Sequence, residues 1–191
     1  MKVKNIWLHF KKICTHKHYV RKYCWKMGLY WQGITHDLSK FSPIEFWESA
    51  KYYQGNRSPI DACKEANGVS YGWQHHKGRN PHHAEYWIDN IDSENIKAIV
   101  MPKKYAMELL ADYLGAGRAY MGKNFTFQKE YEWWIKKSSN PNLKMHKNIK
   151  VFIEIVLEKL AQTNNPSLIL NKNFLSELYD RVMEIGAKYN D

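Results

Sequence analysis

No stretch of this chain approaches the ~20 consecutive apolar residues that a membrane-crossing helix needs, and Met1 to Phe10 is too charged and too short for a secretory core. Cysteine is scarce and odd in number. Cys14, Cys24 and Cys63 show no C-x-x-C spacing, which argues against a disulfide framework and a thiolate zinc site and fits a reducing cytoplasm. Glycine and proline are few, 10 and 6 among 191 residues, and no window shows the turn-punctuated alternation of a β sandwich or barrel. A cytoplasmic, all-α protein with no membrane partner is the expectation these absences leave.

What is present supports a real core, with 44% hydrophobic and 15% aromatic residues, enough to fold as one domain over 1–191. Twenty-nine Lys and Arg against nineteen Asp and Glu give a net charge of +10, so the long-range field attracts anions. The cations are scattered without a Lys/Arg tract and read mostly as a solvated face. Phosphates, nucleic acid and an acidic membrane surface are all anionic, so the field restricts a partner's charge and not its identity, and nucleic acid is allowed and not required.

Apolar spacing of three and four predicts a helix from about Ile6 to Met27 (Ile6, Phe10, Ile13, Val20, Cys24, Met27), closed by Gly28. A short connection through Gly33 follows. Ser42-Pro43-Ile44-Glu45 reads as an N-cap, a first-turn proline and a capping-box Glu, opening a helix to about Tyr53. Further helices are expected over Ile60 to Ala66, Pro102 to Tyr120, Phe127 to Lys136, Asn148 to Gln162 and Leu170 to Lys188. Asn80-Pro81 should interrupt the stretch Gly72 to Trp87, so that His82 and His83 open a new helical segment. Asn140-Pro141-Asn142 and Asn164-Asn165-Pro166 read as loops.

The chemical signal is histidine clustering. Of nine histidines, seven fall in three groups on different expected elements: His16 and His18, His36, and His75, His76, His82 and His83. Metal sites are built in this way, by imidazoles and carboxylates converging from several segments. On the first helix His16 lies near the edge of the apolar face and His18 well away from it, which makes His16 the inward one. His36-Asp37 can offer both side chains to one ion only where the backbone is irregular or a helix ends. Asp112 sits beside the stripe of Tyr105, Leu109, Tyr113 and Ala116, where a carboxylate must be paired or metal-bound. A salt bridge, for example to Arg118, is the alternative there. His76-Lys77-Gly78-Arg79-Asn80-Pro81-His82-His83 mixes imidazoles, cations and an amide as a polar loop or a site would.

The order His16, His36-Asp37, Asp112, with extra histidines before the last Asp, resembles the signature of the HD-domain metal-dependent phosphohydrolase superfamily. More closely, the chain is similar to an uncharacterised bacterial and phage family within or beside it. The matching runs are His16-Lys17-His18-Tyr19-Val20, Gly33 through His36-Asp37 to Phe41, Glu45-Phe46, His76 through Asn80 to His82-His83, Tyr86-Trp87, and Met101-Pro102, Tyr105, Glu108 and Asp112. This resemblance covers about 10–135. It implies a single HD-like helical bundle, with helices from about 142 onward completing it. It also implies that His16, His36, Asp37 and Asp112 are primary ligands, and that His76 and one or both of His82 and His83 hold a second ion.

In a hydrolytic site Asp37 is the natural bridging ligand. Lys40 and Arg79, and more weakly Arg118, are candidates to neutralise a phosphate. A donor set of N and O without thiolate suits one or two divalent ions of Mn, Fe, Co, Ni, Mg or Zn. The expected activity is hydrolysis of a phosphate ester, from a nucleotide or another small phosphorylated metabolite, by metal-activated water. The competing readings are a di-iron oxygenase on the same scaffold, a basic nucleic-acid-binding protein with structural histidines, and a metal-stabilised protein without turnover.

Overall fold

The computed structural model describes residues 3–89, 94 and 96–188; the remaining positions, including both ends of the expected domain, lie outside the description. The fold is an all-α helical bundle, with one two-stranded antiparallel ladder among the described residues. Among the described residues no helix is long and apolar enough to cross a membrane.

Helix α1 (Val3–Lys26) buries His9, Ile13, His16, Val20, Tyr23 and Cys24, one face at helical spacing. Gly28 ends it in the left-handed region at φ 75°, with the Leu29 amide donating 2.8 Å to the Cys24 carbonyl, which satisfies an otherwise orphaned acceptor. The central element is α6 (Lys103–Met121), whose residues Ala106 to Gly115 are all buried. Apolar on nearly every side, it must lie inside the bundle and not on its surface. Helix α1 packs closely on α6 where Gly115 faces Val20: a Cβ at 115 would stand 2.4 Å from Val20 Cγ2.

Helices α7 (Phe127–Ser138), α8 (Lys147–Thr163) and α10 (Lys172–Lys188) complete this layer. Their apolar residues, Trp134, Phe152, Leu157 and Tyr179 among them, join Val20 and Leu110 in one continuous core. Against α1 packs α3 (Pro43–Lys51), which carries α4 (Pro59–Asn67) and α5 (Tyr71–Lys77) with it. Ser58 caps α4 by accepting from the Ile60 amide, and Ser70 caps α5 by accepting from the Trp73 amide.

Three local expectations are corrected. The connection through Gly33 is a short helix, α2 (Tyr30–Thr35), with Gly33 packed under Trp25 and Cys24. His82 and His83 do not open an α-helix: His83 is extended, and a 3-10 turn over Ala84–Trp87 follows. That turn runs into β1 (Ile88–Asp89), which pairs with β2 (Lys97–Ala98) in the register Ile88 to Ala98 and Asp89 to Lys97. Asn164-Asn165-Pro166 leads into one more short helix, α9 (Pro166–Ile169), because the Asn165 side chain accepts from the Leu168 amide and Pro166 occupies the first turn.

Candidate metal centre

Helix α2 stops at Thr35, and the next two residues break the helical path. The His36 amide still donates to Gln32 at 2.7 Å, whereas Asp37 takes the left-handed conformation at φ 53°, ψ 28°. Asp tolerates this region better than most residues, and such backbone persists where the surroundings over-determine it. The Lys17 ammonium donates to the His36 carbonyl and holds the bend. As a result adjacent side chains both turn inward, His36 at 2% exposure and Asp37 at 0%.

Other elements deliver the rest. His16 comes from α1, Asp112 from α6, His76 from the last turn of α5, and His82 and His83 from the loop beyond it. The Asn80 amide pins that loop by donating to the His76 carbonyl at 2.7 Å and to Ser39 Oγ at 2.9 Å, while Trp87 Nε1 donates to the Pro81 carbonyl at 2.6 Å. Among the described residues three groups of His, Asp and Glu could hold a metal ion: His16, His36, Asp37 and Asp112; Asp37, His76, His82 and His83; and His36, His82 and Glu108. The structure therefore brings together all seven ligand candidates of the sequence.

Two ligand atoms roughly 2.1 Å from a common ion lie about 3.0–3.4 Å apart in octahedral or tetrahedral geometry. In the first group His16 Nε2 is 3.2 Å from Asp37 Oδ2, 3.1 Å from Asp112 Oδ1 and 3.4 Å from His36 Nε2. His36 Nε2 is 3.2 Å from Asp37 Oδ2 and 3.5 Å from Asp112 Oδ1. In the second group Asp37 Oδ1 is 3.3 Å from His76 Nε2 and 3.5 Å from His82 Nε2, and His76 Nε2 is 2.9 Å from His83 Nε2. Asp37 thus turns one carboxylate oxygen to each group. Its buried Oδ1, like His82 Nε2, has no hydrogen-bond partner among the described residues. Converging lone pairs without a proton between them are unfavourable, and a bound cation relieves them.

Two carboxylates behind the imidazoles fix which nitrogen faces the site. Glu108 Oε1 accepts from His36 Nδ1 at 3.0 Å and lies 3.2 Å from His82 Nδ1, and Glu45 Oε2 accepts from His76 Nδ1 at 2.7 Å. A carboxylate can only accept, so Nδ1 carries the proton, and a neutral ring keeps its Nε2 lone pair for the site. This assigns the third group an orienting role, through Glu108. Burial would raise the Glu108 and Glu45 carboxyls, but their histidine partners hold both below the ordinary range. Sequence reading gave neither residue a role in the site. Glu108 carried a signal, since it lies one turn before Asp112 on the same face of α6. Glu45 read as a capping-box residue; Ser42 Oγ makes no cap bond among the described residues, and the Glu45 side chain serves His75, His76 and Ser39 instead.

Burial alone would depress the His36 imidazole, yet Asp37, Asp112 and Glu108 hold its pKa well above the ordinary value. The charge of His36 first, then those of Lys40 and His76, keep Asp37 well below the carboxylate range against its burial, and His16 and His36 do so for Asp112. His83 goes the other way, pushed down by burial and by His82. Lys40 Nζ stands 2.5 Å from Asp37 Oδ2, and the carboxylates of Asp37 and Asp112 outweigh desolvation to raise its pKa.

The cluster opens on a cavity of about 600 Å³ whose wall includes His16, His76, His83, Asp112 and Lys40. Arg79, expected beside a phosphate, does not line it: Asn80 turns inward and leaves Arg79 exposed at the start of the pinned loop. Arg118 is also turned away, its guanidinium over Phe125 and donating to Tyr23 Oη at 3.1 Å. His18 is exposed. Two buried groups that sequence reading passed over, His9 and Glu130, do line the cavity.

Residues 5–159 match the family model of DUF5662, a family of unknown function. The chain belongs to this family. The matched span contains every residue of the DUF5662 chain's cluster and its cavity wall, and ends before α9 and α10. The chain matches no curated protein and no solved structure at significant similarity.

Proposed function

We propose that the protein is a metal-dependent phosphohydrolase of the HD type, acting on a phosphate ester of a nucleotide or other small phosphorylated metabolite. The observation that carries this reading is the shared carboxylate of Asp37, with Oδ2 among His16, His36 and Asp112 and Oδ1 among His76, His82 and His83. Two divalent ions held by these groups would lower the pKa of bound water toward neutrality and neutralise a phosphoryl group.

The chain's own residues support the same chemistry. Glu108 and Glu45 keep the imidazoles aimed, which preorganises the site. Lys40, charged and facing the cavity beside Asp37, is placed to meet an anionic oxygen and is the residue we assign to phosphate binding. Lys12, Lys64 and Lys137 add positive charge to the cavity wall, in keeping with the net charge of +10.

Elemental analysis of the purified, tag-free protein, followed by a phosphoesterase screen with Mn, Co, Ni or Mg restored after chelation, tests the proposal. One or two first-row metals per chain with phosphate release is the expected result. Iron with oxygen-dependent turnover and no phosphate release would replace it with an oxygenase, and metal without any turnover would overturn it.

A further inference from the structure

His9 lies two turns before His16 on the same buried face of α1 and lines the same cavity. It is only 5% exposed, yet neither ring nitrogen has a hydrogen-bond partner among the described residues. Nine in ten or more buried polar groups in folded proteins are satisfied, so a side chain with both nitrogens unmet on a cavity wall needs a reason. The ring is held from behind, its centroid 5.3 Å from that of Phe46 and 5.7 Å from that of Tyr53. Neither aromatic is among the cavity-lining residues, whereas His9 is, so the ring lies between this aromatic pair and the cavity wall. Burial, and then the charge of Lys40, lower its pKa to about 4, which leaves a neutral imidazole with one donor and one acceptor at physiological pH.

We infer that His9 is a specificity residue that hydrogen-bonds the uncharged, polar alcohol portion of the phosphate ester whose phosphoryl group sits at Asp37 and Lys40. The ligand class is a phosphomonoester carrying donors and acceptors on its organic part, as a nucleoside or sugar does, in preference to one of an apolar alcohol. A neutral donor–acceptor pair is suited to such a group and poorly suited to the phosphate itself, for which Lys40 and the metal groups are available. The cavity's volume of about 600 Å³ exceeds what a phosphate requires and falls in the range of small-molecule sites.

This inference rests on the phosphohydrolase reading, and the experiment separates the two. Metal-loaded wild type, His9→Phe and His9→Gln are titrated calorimetrically with inorganic phosphate, phenylphosphonate and the phosphonate analogue of adenosine 5′-monophosphate, the last two having a carbon–phosphorus bond in place of the ester. His9→Phe should keep the metal content, melt no lower than wild type, and bind phosphate and phenylphosphonate unchanged. It should lose about tenfold or more in affinity for the nucleoside phosphonate, since a site built to pair a polar group discriminates through it. His9→Gln, which retains a donor and an acceptor, should recover part of that loss. Unchanged affinity for the nucleoside phosphonate, or an equal loss for all three ligands, would overturn the role of His9 while leaving the phosphohydrolase reading standing. A wild type that binds none of the three would overturn both.

Discussion

A carboxylate that serves two ligand groups makes a prediction that no single-group ligand makes. Asp37→Ala removes an oxygen from each group, so metal content should fall to zero per chain while the far-ultraviolet circular dichroism stays helical. His83→Ala touches one group alone and should leave one ion where wild type holds two. Equal stoichiometry in the two variants, by elemental analysis after dialysis against a weak chelator, would count against sharing. The orienting carboxylates act at one remove. Glu108→Gln keeps the shape but weakens the acceptor for His36 and His82, and metal affinity should drop by about 10- to 100-fold, with stoichiometry intact at saturating metal. At this scale the sequence was most informative where periodicity could decide: the wheel puts His16 inside and His18 outside, and that is where they lie. It was less informative for Glu108, whose signal was its place one turn before Asp112, and least for Glu45 and His9, whose neighbours come from other segments. An imidazole–carboxylate pair 31 or 72 residues apart leaves no trace in local spacing. Arg79 shows the same blindness, because adjacency to a ligand in sequence says nothing about which way a pinned loop turns its neighbours.

Between elements, the site depends on the approach of α1 to α6, which carry His16 and Asp112 respectively. Gly115 sets that approach, since a Cβ there would stand 2.4 Å from Val20 Cγ2 and 3.1 Å from the Val20 amide nitrogen. Backbone cannot move aside as the end of a flexible side chain can, so Gly115→Ala should overpack the contact and lower stability by about 1–3 kcal/mol in urea unfolding. It should also weaken metal binding, and adding Val20→Ala should restore part of both losses. Additive effects in that double-mutant cycle would mean the two residues do not share the contact. Long helices such as α1 and α6 could be read in advance because each repeats its apolar spacing over several turns. Helix α2, with Gly33 inside six residues, and α9, with four, have too few turns for periodicity to register. The ladder of β1 and β2 is two residues per strand and shows no alternation to read.

For the molecule as a whole, the balance between metal, charge and pH appears most clearly at Glu130. Its carboxyl is 2% exposed, packs where Gly117 has no side chain, and has Oε2 without a hydrogen-bond partner among the described residues. Desolvation first, and the nearby Asp112 charge second, raise its pKa from 4.5 to about 8. The folded state therefore prefers the protonated acid. Below pH 4.5 folded and unfolded states are both protonated and Glu130 imposes no penalty; between 4.5 and about 8 the unfolded chain ionises while the folded one resists, so stability falls as pH rises through that window. The difference has an upper bound of about 5 kcal/mol at alkaline pH. Glu130→Gln stays neutral throughout. In metal-free protein it should match wild type at pH 4.5 and melt several degrees higher at pH 8, with the gap opening progressively between. Metal at Asp112 offsets the second of the two causes, so loading the site should narrow the gap at pH 8. Parallel pH dependences for the two proteins across the range would mean that folding does not shift the Glu130 pKa.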